Sequence, residues 1–134
     1  MVDPVEERLT FDRVPEIYDR VRPVYPEALF DDLLRALGTR TSSPAVLEVG
    51  PGTGQATGSL LARGATVTAV EPGPNMAAFL RKKFAGDGRL SVINATFEDA
   101  QLPEGTFDTV FAATSWHWVD PQVRAVKAHD ALRP

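Results

Sequence analysis

Apolar and polar positions along this chain change period several times, and each change marks an element. Val14, Ile17, Tyr18 and Val21 recur at helical spacing, which predicts a short amphipathic helix that stops before Pro23. A second helix is predicted from Pro26, which suits a first turn, through the stripe Leu29, Leu33, Leu34 and Leu37 to a left-handed cap at Gly38. After the polar loop TRTSSP, extended and helical periods alternate. Short apolar or β-branched runs predict strands over 45–49, 66–70, 90–94 and 107–113. Helices are expected over 55–63, closed by Gly64, and over 75–84, whose face carries Met76, Phe79, Leu80 and Phe84. A last helix begins after Asp120, a good N-cap, with Pro121 in its first turn and Val123, Val126 and Leu132 available for packing.

Strands alternating with helices imply parallel strands joined by right-handed crossovers, hence an α/β sheet covered on both faces. The expected fold is a Rossmann-like doubly wound parallel sheet of order 3-2-1-4 with N-terminal helices. It forms one structural domain, with a helical cap segment over 1–40 and a ligand-binding core over 41–134. In that order the connections after strands one and four leave in opposite directions and open a crevice at the carboxyl ends of the strands. A glycine-rich loop after strand one and the segment AATSWHW after strand four both face this crevice.

Composition narrows the chemistry. A chain of 134 residues and 14.5 kDa fits one modest domain, and no apolar run approaches the roughly 18 residues that a membrane span requires. The opening MVDPVEERLTF lacks the apolar core of a secretory signal, so a cytoplasmic protein is expected. Without cysteine there is no disulfide framework, thiol nucleophile or thiolate metal site. His117 and His129 alone offer little metal-ligand density, and no metal is expected. A net charge of −4 and a pI near 5.1, with no basic run longer than Arg81, Lys82 and Lys83, argue against nucleic acid and for a small-molecule partner.

The sharpest signal is VLEVGPGTGQATG. Gly50, Gly52 and Gly54 permit positive φ and remove Cβ atoms where a ligand would touch the loop. A tight strand-to-helix turn would justify one or two glycines, but not three with Pro51. The dinucleotide fingerprint fails, because its third glycine falls on Gln55 or Thr57 in the two possible registers; no Lys-Ser or Lys-Thr pair completes a Walker loop. At the end of strand two stands Glu71, where an acid can accept hydrogen bonds from both hydroxyls of an unphosphorylated ribose.

VLEVGPGTG, then VTAVEP, then FEDAQLPEGTFDTVFAATSWHWVD resemble a class I S-adenosylmethionine-dependent methyltransferase of the type-11 kind. FDRVPEIYDRVRPVYPEALFDDLL resembles the N-terminal helices of its small-molecule branch, with trans-aconitate methyltransferase-like enzymes as the nearest relatives. The resemblance implies that S-adenosyl-L-methionine is the cofactor. It further implies that Glu48, Gly50, Pro51, Gly52, Thr53, Gly54 and Gln55 cradle its methionine part and that Glu71 holds the ribose. Pro72 and Met76 would then lie near the adenine, with Phe97 as a wall and Glu98 or Asp99 accepting from the adenine amino group.

Methyl transfer from a sulfonium is an in-line displacement, so the protein mainly positions the acceptor and excludes water. Thr114, Ser115, Trp116 and His117 leave strand four beside the expected sulfonium position, where Trp116 and Tyr18 could favour its charge by cation–π attraction. Trp116 would also meet the acceptor, and His117 could take a proton from a hydroxyl or amine. Arg22 lies in the segment that the family places over the cofactor mouth and could pair with a carboxylate of cofactor or substrate.

A complete family member continues through further strands, whereas this sequence stops at ALRP. The sheet is therefore expected to lack its C-terminal strands and to expose an edge that invites a homodimer. Three readings follow: a methyltransferase acting on a small molecule, a non-catalytic nucleoside-binding or interaction module, and a nicotinamide-dependent oxidoreductase on a similar sheet.

Overall fold

The computed structural model describes residues 9–22, 24–37 and 42–134. The predicted cap at Gly38, the stop at Pro23, the first half of the TRTSSP loop and the first eight residues lie outside the described residues.

A 3-10 turn at Thr10–Arg13 leads into helices α1 (Pro15–Val21) and α2 (Glu27–Ala36). The core follows as β1 (Ala45–Val49), α3 (Gln55–Ala62), β2 (Thr66–Val70), α4 (Pro74–Lys83), β3 (Leu90–Ile93) and β4 (Thr109–Phe111). A second 3-10 turn at Trp116–Trp118 precedes α5 (Pro121–Ala131). The four strands form one parallel sheet in the order β3-β2-β1-β4, as the alternation of periods predicts.

Strand pleating sends alternate residues to opposite faces, and β1 divides its side chains accordingly. Val46 joins Phe30, Leu60, Leu61, Val67 and Leu80 in a core beneath α2, α3 and α4. Leu47 and Val49 join Val70, Phe97, Phe107, Val119 and Ala131 on the other face, which α5 covers. In α2 the fully buried anchor is Phe30, with Leu33 packed against the same core, while Leu29 is largely exposed.

Three expectations are corrected. The fourth strand is three residues long, not seven, because the residues around it have other partners. Asp108 Oδ2 accepts the Ala45 N–H at 2.7 Å, and Phe107 forms an isolated bridge with Leu132. Leu132 is accordingly the residue that ends α5 rather than one packing from within it, and Arg133 N donates to Phe107 O at 2.9 Å. The apolar stripe of α1 is also turned outward: Val14, Ile17 and Val21 are 43%, 52% and 71% exposed. This helix is held by polar contacts. Asp19 Oδ1 accepts from Lys83 Nζ at 2.8 Å and from Gln55 Nε2 at 2.9 Å, fastening α1 to α4 and to the start of α3. Burial raises the Asp19 carboxyl, but the hydrogen bond and charge of Lys83 outweigh it and hold it below its ordinary value.

Candidate functional site

The register Val49↔Val70 aligns the ends of β1 and β2, and Gly50 N extends the ladder by donating to Val70 O at 2.9 Å. The next residues, the glycine loop and Glu71, therefore leave the sheet side by side. Positive φ at Gly50 (70°) and Gly52 (58°) bends the loop back over the strand ends. Gly52 N then donates to Glu71 Oε1 at 3.1 Å, and Gly73 N donates to Oε2 at 2.7 Å. Glu71 is only 6% exposed. Burial pushes its carboxyl up to about 7, against the two backbone bonds that favour the ionised form and with help from the nearby Asp12 charge. A carboxylate offers about four acceptor positions, so one on each oxygen is left for a ligand.

Glu71 lines a cleft of about 300 Å³ together with Gly50 and Gly52 from the loop and Pro72, Met76 and Phe97 from the connections after β2 and β3. Tyr18 and Arg22 enter from the end of α1, and Thr114, Ser115 and His117 enter from the segment after β4. The Arg22 guanidinium stands 5.3 Å from the Tyr18 ring centroid and 5.5 Å from that of Tyr25. Its Nη2 donates to the Tyr25 hydroxyl at 2.5 Å and to Thr114 Oγ1 at 2.8 Å. Nη1 lies 2.8 Å from the place a Cβ on Gly52 would occupy, so glycine there admits the arginine. Thr114 has φ 59°, the sole positive value outside glycine among the described residues, a strained setting for a β-branched side chain. Ser115 Oγ donates to Val49 O at 2.6 Å and so ties this segment to the end of β1.

Several residues that the resemblance assigns to the cofactor sit outside the cleft. Glu48 shares the Val46 face of β1 by pleat parity and lies buried beneath α3, where Thr57 Oγ1 donates to it at 2.5 Å. Burial raises its carboxyl to about 7. Thr53 is fully buried and accepts from Gln55 Nε2 at 2.7 Å. Pro51 is buried within the loop. A Cβ on Gly54 would meet Leu80 and Phe84 at 2.6 Å, so this glycine serves helix packing rather than ligand approach. Glu98 Oε2 accepts from Asp120 N at 3.3 Å, and Asp99 is exposed in the turn. Trp116 packs on Phe97 with ring centroids 5.9 Å apart and carries Arg124 on its face at 5.7 Å, within the core under α5.

Trp118 lines the cleft instead, its ring 4.5 Å from that of His117. Asp12 and Val119 line it as well. Asp12 lies in the stretch FDRVPEIYDR but carries no site role there, and it reaches the cleft by a contact across 64 residues of sequence. The sequence clue to it lay in Gly73, which sits at the start of α4 because a Cβ there would collide with Asp12 Oδ1.

A glycine loop and a buried acid at adjacent strand ends define a nucleoside-binding α/β protein. The family model for the methyltransferase domain matches residues 47–134, and the chain belongs to that family of S-adenosylmethionine-dependent methyltransferases. An uncharacterized methyltransferase of Mycobacterium tuberculosis is 37% identical over 126 residues, covering 94% of this chain and 49% of the relative. A protein of Haloquadratum walsbyi named as a ribosomal RNA small subunit methyltransferase A is 40% identical over 99 residues, covering 72% of this chain and 31% of its own length. Among solved structures, a phosphoethanolamine N-methyltransferase of Haemonchus contortus, in complex with phosphomonomethylethanolamine and S-adenosylhomocysteine, superposes with a TM-score of 0.78. It is 18% identical and is matched over 98% of this chain and 33% of its own. The chain spans about half the length, or less, of the curated relatives it matches. Among the described residues no helix is long and apolar enough to cross a membrane.

Proposed function

We propose that this chain is the cofactor-binding part of a methyltransferase acting on a small-molecule acceptor, within the trans-aconitate methyltransferase-like branch. The observation that carries the reading is Glu71, buried at the strand ends with each oxygen accepting one backbone amide and retaining room for one more donor. That arrangement fits a ribose diol. Gly50 and Gly52, both without Cβ atoms, line the adjacent space and suit the aminocarboxypropyl arm. S-adenosylmethionine supplies an electrophilic methyl group when bound. The chain's own residues then orient it: Phe97 and Met76 flank the base, and Glu71 fixes the sugar. Arg22, whose described side-chain partners are hydroxyls and aromatic faces, answers a carboxylate of the arm or the acceptor. His117, exposed at the rim, is placed to take a proton from the acceptor.

A small acceptor is favoured over RNA by the acidic balance, with pI near 5.1, since phosphate-backbone binding needs a basic surface. A non-catalytic nucleoside-binding module is the second reading, since the buried polar groups of the cleft, Glu71 and its amide donors, answer a nucleoside rather than an acceptor. β4 is the outer strand of the sheet, which supports pairing between two copies, and a monomer mass by light scattering would remove that part of the proposal.

Calorimetric titration of S-adenosylhomocysteine into the chain, beside Glu71→Ala and with NAD as competitor, tests the reading. Saturable binding that Glu71→Ala weakens and NAD leaves unchanged is expected. Competition by NAD would transfer the site to an oxidoreductase, and binding without transfer to any carboxylate, hydroxyl or amine acceptor would leave the non-catalytic module.

A further inference from the structure

The cleft contains a second buried acid that the reading above leaves without a role toward ligand. Asp12, in the 3-10 turn Thr10–Arg13, lines the cleft and is 8% exposed. Its Oδ1 accepts the Met76 N–H at 2.8 Å. It thereby caps α4 from outside, since the N-cap residue of that helix, Gly73, has no side chain. Oδ2 has no hydrogen-bond partner among the described residues. Oδ2 is not sealed from solvent, so Asp12 turns a carboxylate oxygen to the cleft it lines. The capping task does not require it, because asparagine or serine would cap as well. The charge of Asp12 is also felt at Glu71, so the two acids stand close enough to repel. Two like charges in one cleft suit a ligand that brings hydrogen-bond donors and no phosphate.

We infer that Asp12 is a second ligand-binding carboxylate at the nucleoside end of the cleft, its Oδ2 accepting from a ribose hydroxyl beside Glu71. The inference rests on the nucleoside reading of the cleft given above. It makes the N-terminal segment part of the binding site rather than a cover, and it adds a second negative group against a phosphorylated ribose.

The test uses the full chain with 5′-methylthioadenosine and its 2′-deoxy and 3′-deoxy counterparts as probes, titrated by calorimetry into wild type, Asp12→Asn and Glu71→Ala. Asparagine keeps an oxygen for Met76 N–H but loses an acceptor for the sugar, and thermal melting of the unliganded proteins checks that the cap survives. Asp12→Asn is expected to bind the parent nucleoside about tenfold more weakly, the loss of one hydrogen bond to a charged group. It should also cease to distinguish the parent from one of the two deoxy compounds, although wild type does, with its melting temperature unchanged. Asp12→Asn binding all three probes as wild type does, while Glu71→Ala weakens them, would overturn the inference and leave the nucleoside reading standing. Equal sensitivity of Asp12→Asn and wild type to both deoxy changes would overturn the hydroxyl assignment. Wild type binding none of the probes would sink the nucleoside reading and this inference with it. If Asp12→Asn does not fold, Asp12→Ser, which retains a capping oxygen on a shorter arm, is read by the same outcomes.

Discussion

The two ends of the cleft are built in opposite ways. At the nucleoside end Glu71 and Asp12 are buried and are held by backbone amides of Gly52, Gly73 and Met76. At the mouth Arg22, Tyr25 and Thr114 bond to one another through side chains contributed by segments about ninety residues apart, and Thr114 and His117 are exposed. Backbone donors fixed by a strand register cannot rearrange without breaking the sheet, whereas side-chain bonds in contact with water exchange readily. On the proposed reading, the part of a ligand common to all reactions of this class would meet the rigid end, and the part that differs would meet the adjustable one.

The largest effect expected from breaking this arrangement is on stability against pH, because burial has raised two carboxyls from 4.5 to about 7. A group whose folded pKa lies above its unfolded value contributes stability that is complete below the unfolded pKa and is lost as pH rises through the folded one. Wild type should therefore lose stability as pH rises from about 4.5 to about 7, on the order of 3 kcal/mol for a fully buried acid such as Glu48. Glu48→Gln, which keeps an acceptor for Thr57, should match wild type near pH 5 and melt at higher temperature at pH 8; equal pH slopes in denaturant titrations would contradict this. Glu71→Ala comes next, with S-adenosylhomocysteine affinity falling about ten- to a hundredfold, or roughly 1.5–3 kcal/mol for bonds to a charged acceptor. Because hydroxyls donate best to the ionised carboxylate, wild-type affinity should also rise with pH through about 7, and calorimetry of Glu71→Gln should show a flat profile.

At the adjustable end the effects are smaller. Arg22→Ala should weaken S-adenosylhomocysteine by about tenfold or less while leaving 5′-methylthioadenosine, which lacks the carboxylate, nearly untouched. Equal losses for the two ligands would place Arg22 at the nucleoside instead. His117→Ala should leave cofactor affinity within about twofold, since an exposed side chain outside the ligand's polar contacts contributes little to binding; its effect should appear only in turnover, in the acceptor's pH profile.

The same contrast explains what could be read from the sequence. Periods of hydrophobicity, β-branched runs and the Asp120 cap mark every strand and helix, and the G-x-G-x-G loop and Glu71 are legible because they adjoin strand ends. Glu48 was assigned to the cofactor by motif, yet its parity with Val46 points it beneath α3, a deduction that the strand pattern already permits. The exchange of Trp116 for Trp118 was not legible. It follows from a 3-10 turn, whose three residues per turn send the two indoles in different directions. Asp12 left only an indirect trace, the glycine at position 73, because its place depends on a tertiary contact with the start of α4.

The rung between Gly50 N and Val70 O carries one more consequence. A slip of one residue between β1 and β2 would turn every side chain to the opposite face and separate the loop from its acid. The site is thus conditional on the sheet: only the native pairing of the two central strands sets the glycine loop beside Glu71. Ligand should accordingly act as a proofreader of the sheet, adding its binding free energy to the one register that can receive it. Amide exchange along β1 and β2 should slow in step with occupancy.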